Sequence, residues 1–439
     1  MPLFCPFRGA FLGTLLLSAL VLVSPAYSKA GANESGATLS FQDALAQTLM
    51  HNSELAVFSE EIRAREAEAL QAGLRPNPLL SFEVENFLGS GGFSGINATE
   101  TTVTLRQAIE LGKKRSRRHE LAEAETMLAQ SDYLLTRTEV LARTADAFIT
   151  ALAAQERMQL VEETTGLAKQ VLVHVEERIA AGKAAATESI RARIHWRELE
   201  IDRNRARRDL VAAQRALAAR MGLEIAGFES VAGNLSRATD LPDPAELERS
   251  IGKSPQIARR VAETERRRRA VDLESARRFP DLEVSLGSRY LRESDDTAMV
   301  AGISVPLPLF NSNQGANAAA RSRLSQAQAE ERSASVQVKA ALNAAWHEMA
   351  AAHAEAAALA SDILPAALQA LEAVDYGYRA GKFGLLDVLD AQRTLVEAQK
   401  RQLEAHAAYF RAANELSRLL GRELPAIWPS ALISAFEKD

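Results

Sequence analysis

The sequence predicts a mainly α-helical protein with a small β part, built from two copies of a helix–strand–strand–helix–helix unit. Three observations support this fold class. The turn at Gly182 recurs 199 residues later at Gly381, and the same offset aligns the helices that follow. Each copy has a helical segment without a sustained polar loop, and each has two stretches of alternating apolar and polar residues. A fixed offset of this kind indicates an internal duplication.

The duplication and the composition divide the chain into six segments. We expect, in order, a signal peptide, a short N-terminal segment, a first repeat, a linker, a second repeat and a tail. Their expected ranges are 1–28, 29–37, 38–222, 223–244, 245–424 and 425–439. Arg8 precedes an apolar run that is too short to span a bilayer, as in a secretory signal peptide. Cys5, the only cysteine, lies before that run, so no lipid anchor is expected.

The charge of the chain argues against nucleic acid as a partner. The formal net charge is −5, and removal of residues 1–28 with Arg8 makes it about −6. The basic run at 266–269 lies in Glu-rich helical sequence, which favours a solvated helix face. Beyond the leader we find no apolar run of the ~18 residues that a membrane helix needs. A membrane-spanning part would therefore have to consist of strands.

Alternation of apolar and polar residues predicts four strands. Their expected ranges are about 79–88, 101–111, 281–291 and 298–309. Each pair follows a helix, and these helices begin near Ser40 and Asp243 and end near Gly73 and Arg278. Roughly nine to eleven residues is the length of a tilted strand that crosses a bilayer. Two hairpins cannot close a barrel alone, so a membrane role requires several copies of the chain; a small soluble sheet is the alternative.

Two long helical segments, 113–181 and 312–380, follow the strand pairs. Each would be ~100 Å long, which favours coiled-coil or tube-like packing. Each segment contains one helix-breaking residue, Gly166 in the first and Pro365 in the second. These two residues are again 199 residues apart. We expect a kink or local adjustment at both, with a loop as the alternative. Much of the remaining helical sequence is alanine, which buries little apolar area, so an assembly is favoured over a monomer.

The sequence contains no recognisable catalytic constellation. His347 and Glu348 begin like a zinc-protease motif, but Ala351 occupies the position of the second histidine. His353 lies on a different helix face, so it cannot complete that site. We therefore expect no enzyme activity, no cofactor and no resident metal site.

Two carboxylates near the second turn point to a pore. Asp387 and Asp390 lie on one face at the start of a helix. The helix dipole would explain Asp387 alone. In a symmetric oligomer, however, the pair would repeat as a ring of negative charge that favours cations at a pore mouth. Glu188 and Arg191 occupy the matching positions in the first repeat, so only one aspartate pair per chain is expected.

These features together resemble the TolC-like outer-membrane efflux proteins. The resemblance covers residues 38–424, and the stretch 378–393 is its most specific part. It implies a homotrimer in which each chain gives four strands to a twelve-stranded outer-membrane barrel and its helices to a long periplasmic α-helical barrel. The implied partners are outer-membrane lipid, a periplasmic adaptor protein and an inner-membrane pump of the resistance-nodulation-division class.

The resemblance also assigns roles at the two turns, which would be the periplasmic tips. Asp387 and Asp390 would line the pore entrance, and Tyr378 and Glu188 would be gate contacts between neighbouring tips. The expected adaptor-docking residues are Gly182, Lys183, Gly381 and Lys382.

A narrower resemblance concerns the cargo. Residues 74–86 and 107–115 are similar to the heavy-metal branch of the family, which implies export of divalent cations such as cobalt, zinc and cadmium. The same duct could instead serve drugs or secreted polypeptides. A soluble periplasmic coiled-coil or adaptor protein is the alternative of another class, although an adaptor would have one long helical hairpin rather than a duplicated set.

Overall fold

The computed structural model describes residues 38–235 and 241–422. The elements of the first half are β1 (Thr38–Leu39), α1 (Phe41–His51), α2 (Ser53–Ala72), β2 (Leu79–Glu85), β3 (Glu100–Ile109), α3 (Lys114–Ala180) and α4 (Ala186–Arg220). Those of the second half are β4 (Ser230–Val231), α5 (Pro244–Ser250), α6 (Pro255–Ala276), β5 (Leu282–Leu291), β6 (Asp296–Ser304), α7 (Gln314–Ala358), α8 (Leu364–Arg379) and α9 (Leu385–Leu420). The expected signal peptide, the segment 29–37 and the tail lie outside the described residues.

The first helix of each half is divided in two. Ser40 begins α1, since its side chain accepts a hydrogen bond of 3.0 Å from the Asp43 amide. The helix stops at Asn52, whose side chain caps α2 by accepting from the Glu54 amide. The second half breaks at the matching place, where α6 begins with Pro255 after Ser254. A proline lacks the amide that a continuing helix requires, which explains the second break. The single helix expected in each half is therefore two helices.

Four of the strands form one antiparallel sheet in the order β2-β3-β5-β6. Strand β2 ends three residues before the expected position, because Asn86 adopts a positive φ of 57°. Strand β6 ends at Ser304 rather than 309, since Pro306 and Pro308 have no amide to donate to a neighbouring strand. Within the described residues, the outer edges of β2 and β6 pair with no other strand.

The register of this sheet separates charge from apolar surface. Opposite residues in antiparallel strands share a face, and the pairings place every charged strand residue on the same one. These residues are Glu83, Glu85, Glu100, Arg106, Glu283, Arg289 and Asp296. Thr102 and Thr104 on this face are buried, whereas Phe82 and Met299 on the other are 67% and 73% exposed. The sheet therefore has a charged inner face and a bare apolar outer face, as transmembrane barrel strands do.

The long helices of the two halves differ at the residues expected to interrupt them, Gly166 and Pro365. Helix α3 continues for 67 residues through Gly166, so the adjustment expected there is absent. In the second half a π-helical turn, Leu359–Ile363, joins α7 to α8 immediately before Pro365. Glycine keeps its amide hydrogen bond, whereas proline loses it and displaces the carbonyl one turn earlier. A π-turn accommodates such a displacement without ending the helix.

One helix in the described chain is apolar enough to cross a membrane by length and composition. It is the 66-residue run Gln314–Arg379, with a mean hydropathy of 1.3 in its most apolar window. No such window was expected beyond the leader, and by this measure that expectation is wrong. Its apolar character comes largely from alanine, and it packs along α6 and α9. A single helix of this kind is weak evidence for a membrane span.

The main core lies where the middle of the long helices meets the small elements. Strands β1 and β4 pair in parallel there, beside α1 and α5. The largest fully buried side chains include Phe148, Tyr409 and Phe410, and the rings of Phe41 and Phe148 meet edge to face at 5.3 Å. This core ties α3, α4, α7 and α9 together at one level, which keeps the helices of the two halves in a fixed relation.

Shorter helices are joined end to end beside the long ones. The end of helix α4 lies next to the start of α2. At this point the Asn52 side-chain amide donates to the Arg220 carbonyl oxygen at 3.2 Å. Gly222 adopts a φ of +81° at this junction, and a Cβ there would lie 2.5 Å from the His51 carbonyl oxygen. Helix α9 meets α6 in the same way at Gly421 and Pro255. Each stacked pair therefore runs beside a long helix over much of its length.

The junction gives a test with an internal control. Gly222→Ala should lower the free energy of unfolding by more than ~1 kcal/mol, because alanine disfavours positive φ and its Cβ would meet the backbone. Gly166→Ala should instead raise it by about 0.5–1 kcal/mol, because Gly166 lies in mid-helix with open space around it. Thermal unfolding of the purified protein, followed by circular dichroism, measures both. Shifts of the same sign would contradict the described junction.

Candidate functional site at the helical tips

The two glycine turns have the same backbone geometry. Gly182 and Gly381 have φ values of +71° and +75°. In both turns the amide of the following lysine donates to the carbonyl oxygen five residues earlier, at 2.8 Å. Gly182, Lys183, Gly381 and Lys382 are all exposed. The structure thus presents two equivalent glycine–lysine pairs at one end of the molecule.

The predicted aspartate pair is exposed, but its members differ. The Asp387 carboxylate accepts a 2.8 Å hydrogen bond from the Gly384 amide, so it caps its own helix. Asp390 makes no such bond and lies on the wall of a groove of about 570 Å³ between α4 and α9. Further titratable residues on the walls of the groove are His195, Glu198, Asp202, Arg393, Glu397 and Lys400. Asp390 is therefore the member whose charge the helix start does not explain.

The groove contains a histidine that the sequence did not single out. His195 is one turn before Leu199 on α4, and burial lowers its pKa, which favours the neutral imidazole at neutral pH. Glu198 opposes that shift and Arg393 reinforces it. Only the fold brings His195 and Glu198 opposite Asp390, since α4 and α9 belong to different halves of the chain.

Tyr378 and Glu188, the two predicted gate residues, contact each other directly. The Tyr378 hydroxyl donates to a Glu188 carboxylate oxygen at 3.0 Å. Tyr378 is only 6% exposed, because it packs in a small apolar cluster with Leu172, Val175 and Val388. The contact joins the end of α8 to the start of α4. It therefore links the two tips of one chain.

Arg178 completes this contact, although no sequence pattern singles it out. Its guanidinium donates to the Tyr378 carbonyl oxygen at 2.6 Å and lies 4.2 Å from the centre of the Tyr378 ring. Such an arrangement combines a charged hydrogen bond with a cation–π interaction. A basic residue in the last turn of a helix is common for dipole reasons alone, so its position in the sequence carries no signal. We call Arg178, Glu188 and Tyr378 the tip cluster.

The tip cluster stabilises the neutral phenol. Burial and, after it, the Glu188 carboxylate that accepts the phenol hydrogen together raise the pKa of Tyr378 to about 12, while the positive charge of Arg178 opposes the shift. Because the folded pKa lies above the ordinary tyrosine value of 10.0, the buried and hydrogen-bonded phenol contributes its full stabilisation below that pH. The contribution is lost as the pH rises through about 12.

This environment can be measured by titration. The near-ultraviolet absorbance difference between the wild type and Tyr378→Phe should show one phenol that ionises near pH 12. Tyr376, two residues away and 75% exposed, is the matched control. Tyr376→Phe should leave the component near pH 12 in place. If Tyr378 ionised together with the exposed tyrosines, the buried contact with Glu188 would be disproved.

Among residues 38–235 and 241–422, no group of three or more His, Cys, Asp or Glu side chains is placed to hold an ion. The tips instead offer isolated charges on an exposed surface and one buried polar contact. Exposed charges of this kind can attract ions.

Comparison with known proteins identifies the kind of molecule. Residues 44–223 and 247–422 match the outer membrane efflux protein family. The chain belongs to this family. The cobalt-zinc-cadmium resistance protein CzcC of Cupriavidus metallidurans is 33% identical over 389 residues, which is 89% of this chain and 91% of that protein. The nickel and cobalt resistance protein CnrC of the same organism is 29% identical over 283 residues, 64% and 66% of the two chains.

Solved structures agree on the fold. The channel protein CusC superposes with a TM-score of 0.75 at 17% identity, covering 91% of this chain and 96% of that one. The predicted fold class, a TolC-like channel of strands and long helices, is confirmed. The outer-membrane efflux protein described here is an export duct with a periplasmic helical part, and it is not an enzyme. Channels of this family work as trimers in tripartite systems with an adaptor and an inner-membrane pump.

Proposed function

We propose that this duct exports divalent heavy-metal cations. The observation that carries the proposal is the charge of the inner face of the sheet. In each chain this face has five carboxylates and only two arginines. A surplus of negative charge along a pore favours cations. The names of CzcC and CnrC, which are resistance proteins for cobalt, zinc, cadmium and nickel, support the same cargo. A duct for drugs or polypeptides would share the fold but has no need of this charge.

The assembly follows from the open sheet. We infer that β2 and β6 of neighbouring chains pair, so that three four-stranded sheets close into a twelve-stranded barrel. Closure supplies partners for the backbone groups at both edges, which lipid cannot do. The inner-membrane partner would be a pump of the resistance-nodulation-division class. In this proposal residues 1–28 are removed on export and no lipid anchor is attached.

The tips would form the entrance and its gate. The tip cluster would hold the two tips of each chain together in the resting state, and adaptor binding at the exposed glycine–lysine pairs would release them. Asp387 and Asp390 would then lie at the entrance as a ring of carboxylates. The support for this scheme is the exposure of both turns and both aspartates, together with the burial of Tyr378 between the tips.

The cargo can be tested by growth. Deletion of the gene should cause sensitivity to one or more of zinc, cobalt, cadmium, nickel and copper, and expression of the wild-type chain should restore resistance. Sensitivity to dyes and detergents measured in parallel is the control for a general efflux duct. Sensitivity to dyes and detergents without sensitivity to any metal would refute the proposed cargo.

The entrance can be tested by electrical recording. Asp387→Ala with Asp390→Ala should lower the cation-to-anion permeability ratio by roughly 2- to 10-fold while trimers still form, because the ring loses its charge. Asp387→Asn with Asp390→Asn keeps a side-chain acceptor for the Gly384 amide and should have the same effect on permeability. If the ratio stayed unchanged in both variants, the aspartates would serve only to start the helix.

A further inference from the structure

The two arginines on the inner face of the sheet differ in the number of carboxylates they hold. Arg289 contacts Glu100 at 2.7 Å and Glu85 at 3.3 Å through its two terminal nitrogens, and its Nε donates to the Thr102 hydroxyl at 3.0 Å. Arg106 contacts a single carboxylate, that of Glu83, at 3.2 Å. Arg289 is therefore a clamp between two acids, whereas Arg106 is one half of a simple pair.

The clamp lies at the far end of the barrel from the helices. Glu85 is the last residue of β2 and Glu100 is the first of β3, and they face each other across the hairpin. Arg289 is near the end of β5 and opposes Thr102. Helices α2, α3 and α6 join the sheet at its other end. The three residues therefore belong to the outer mouth of the duct, where cargo leaves.

Without the arginine, the two acids would form a binding site. Carboxylate oxygens that contact neighbouring nitrogens of one guanidinium are close enough for one divalent ion to bridge them after small side-chain rotations. Both side chains are also partly exposed to the inner face, Glu85 at 52% and Glu100 at 23%. Conduction, however, requires that an ion bind weakly enough to leave.

We propose that Arg289 keeps the exit of the duct from trapping its cargo. Its guanidinium occupies both carboxylates, so the outer mouth retains a negative charge surplus without offering an ion two free ligands at once. The surplus still attracts cations along the lumen, because Glu283 and Asp296 share this face without an arginine contact of this kind. Arg289 is thus a residue that keeps the exit open to passing ions, and its biological meaning rests on the proposed divalent cargo.

The test is divalent block of a monovalent current. Purified trimers are placed in planar bilayers in potassium chloride, and Zn²⁺ is added on the hairpin side. Arg289→Gln should be blocked, with half-block on the order of 0.1–1 mM, as expected for a site with few carboxylate ligands. The wild type should pass its full Zn²⁺-free current over the same range. Arg289→Lys, which keeps the positive charge, should also remain unblocked.

Two matched variants separate a binding site from a general change of charge. Arg106→Gln removes the same charge from the same face but frees one acid only, so it should remain unblocked. Arg289→Gln with Glu100→Gln removes one of the two ligands and should abolish the block. Arg289→Ala replaces Arg289→Gln if that variant does not form heat-stable trimers.

Other outcomes overturn the proposal. An unblocked Arg289→Gln trimer would show that Arg289 only joins strands. Equal block of Arg106→Gln would show that lost charge, not a freed pair of acids, is the cause. The recording does not depend on what the cell exports, so its failure leaves the proposed cargo standing, and the growth test can fail without altering it.

Discussion

Backbone hydrogen bonding in lipid is the constraint on which the rest of the structure depends. Apolar side chains cover the outer face of a sheet that has four strands in the described part of the chain, and both of its edges are open there. Lipid offers no donors or acceptors to those edges, so the sheet is stable there only when copies of the chain complete it. Strands β2, β3, β5 and β6 each continue into one helix at the same end of the sheet. Closing the strands into a ring therefore also arranges the helices around one axis.

In the proposed gate the tips face the opposite requirement, since they would have to separate. Stability in the middle of the molecule comes from large apolar side chains such as Phe148, Tyr409 and Phe410. At the tips it comes from a small cluster in which one tyrosine supplies both the apolar ring and the polar contact. A few polar contacts are more easily exchanged for contacts with a partner than a large apolar core is. The distribution of apolar burial along the helices thus matches a duct that is rigid in the middle and opens at one end.

The features that could be predicted from the sequence are those that depend on hydrophobic periodicity and on the fixed offset between the two repeats. The duplication, the four strands, the long helices and the paired turns all follow from local pattern, and so does the shared face of Asp387 and Asp390. The sequence did not predict the break at Asn52, because a cap within a helical pattern looks like an ordinary polar residue. The break at Ser254 was missed although Pro255 follows it, because proline is also tolerated in the first turn of a helix. Arg178, His195 and the Arg289 clamp were also missed, since each depends on contacts between distant segments. Gly166 was overvalued because a glycine weakens a helix without removing a hydrogen bond.

The end-to-end stacking of α4 on α2 and of α9 on α6 bears on how such chains diverge. Each stacked pair of helices runs beside one long continuous helical segment. The summed length of the stacked pair must therefore match the length of that segment. One turn lost from α3 would leave α4 and α2 too long by the same amount, and the junction at Gly222 would no longer meet. Substitutions alter side chains without altering the lengths of these helices. Insertions and deletions are therefore expected to accumulate in the hairpin connections and the linker, while the reach of the duct across the periplasm is inherited almost unchanged.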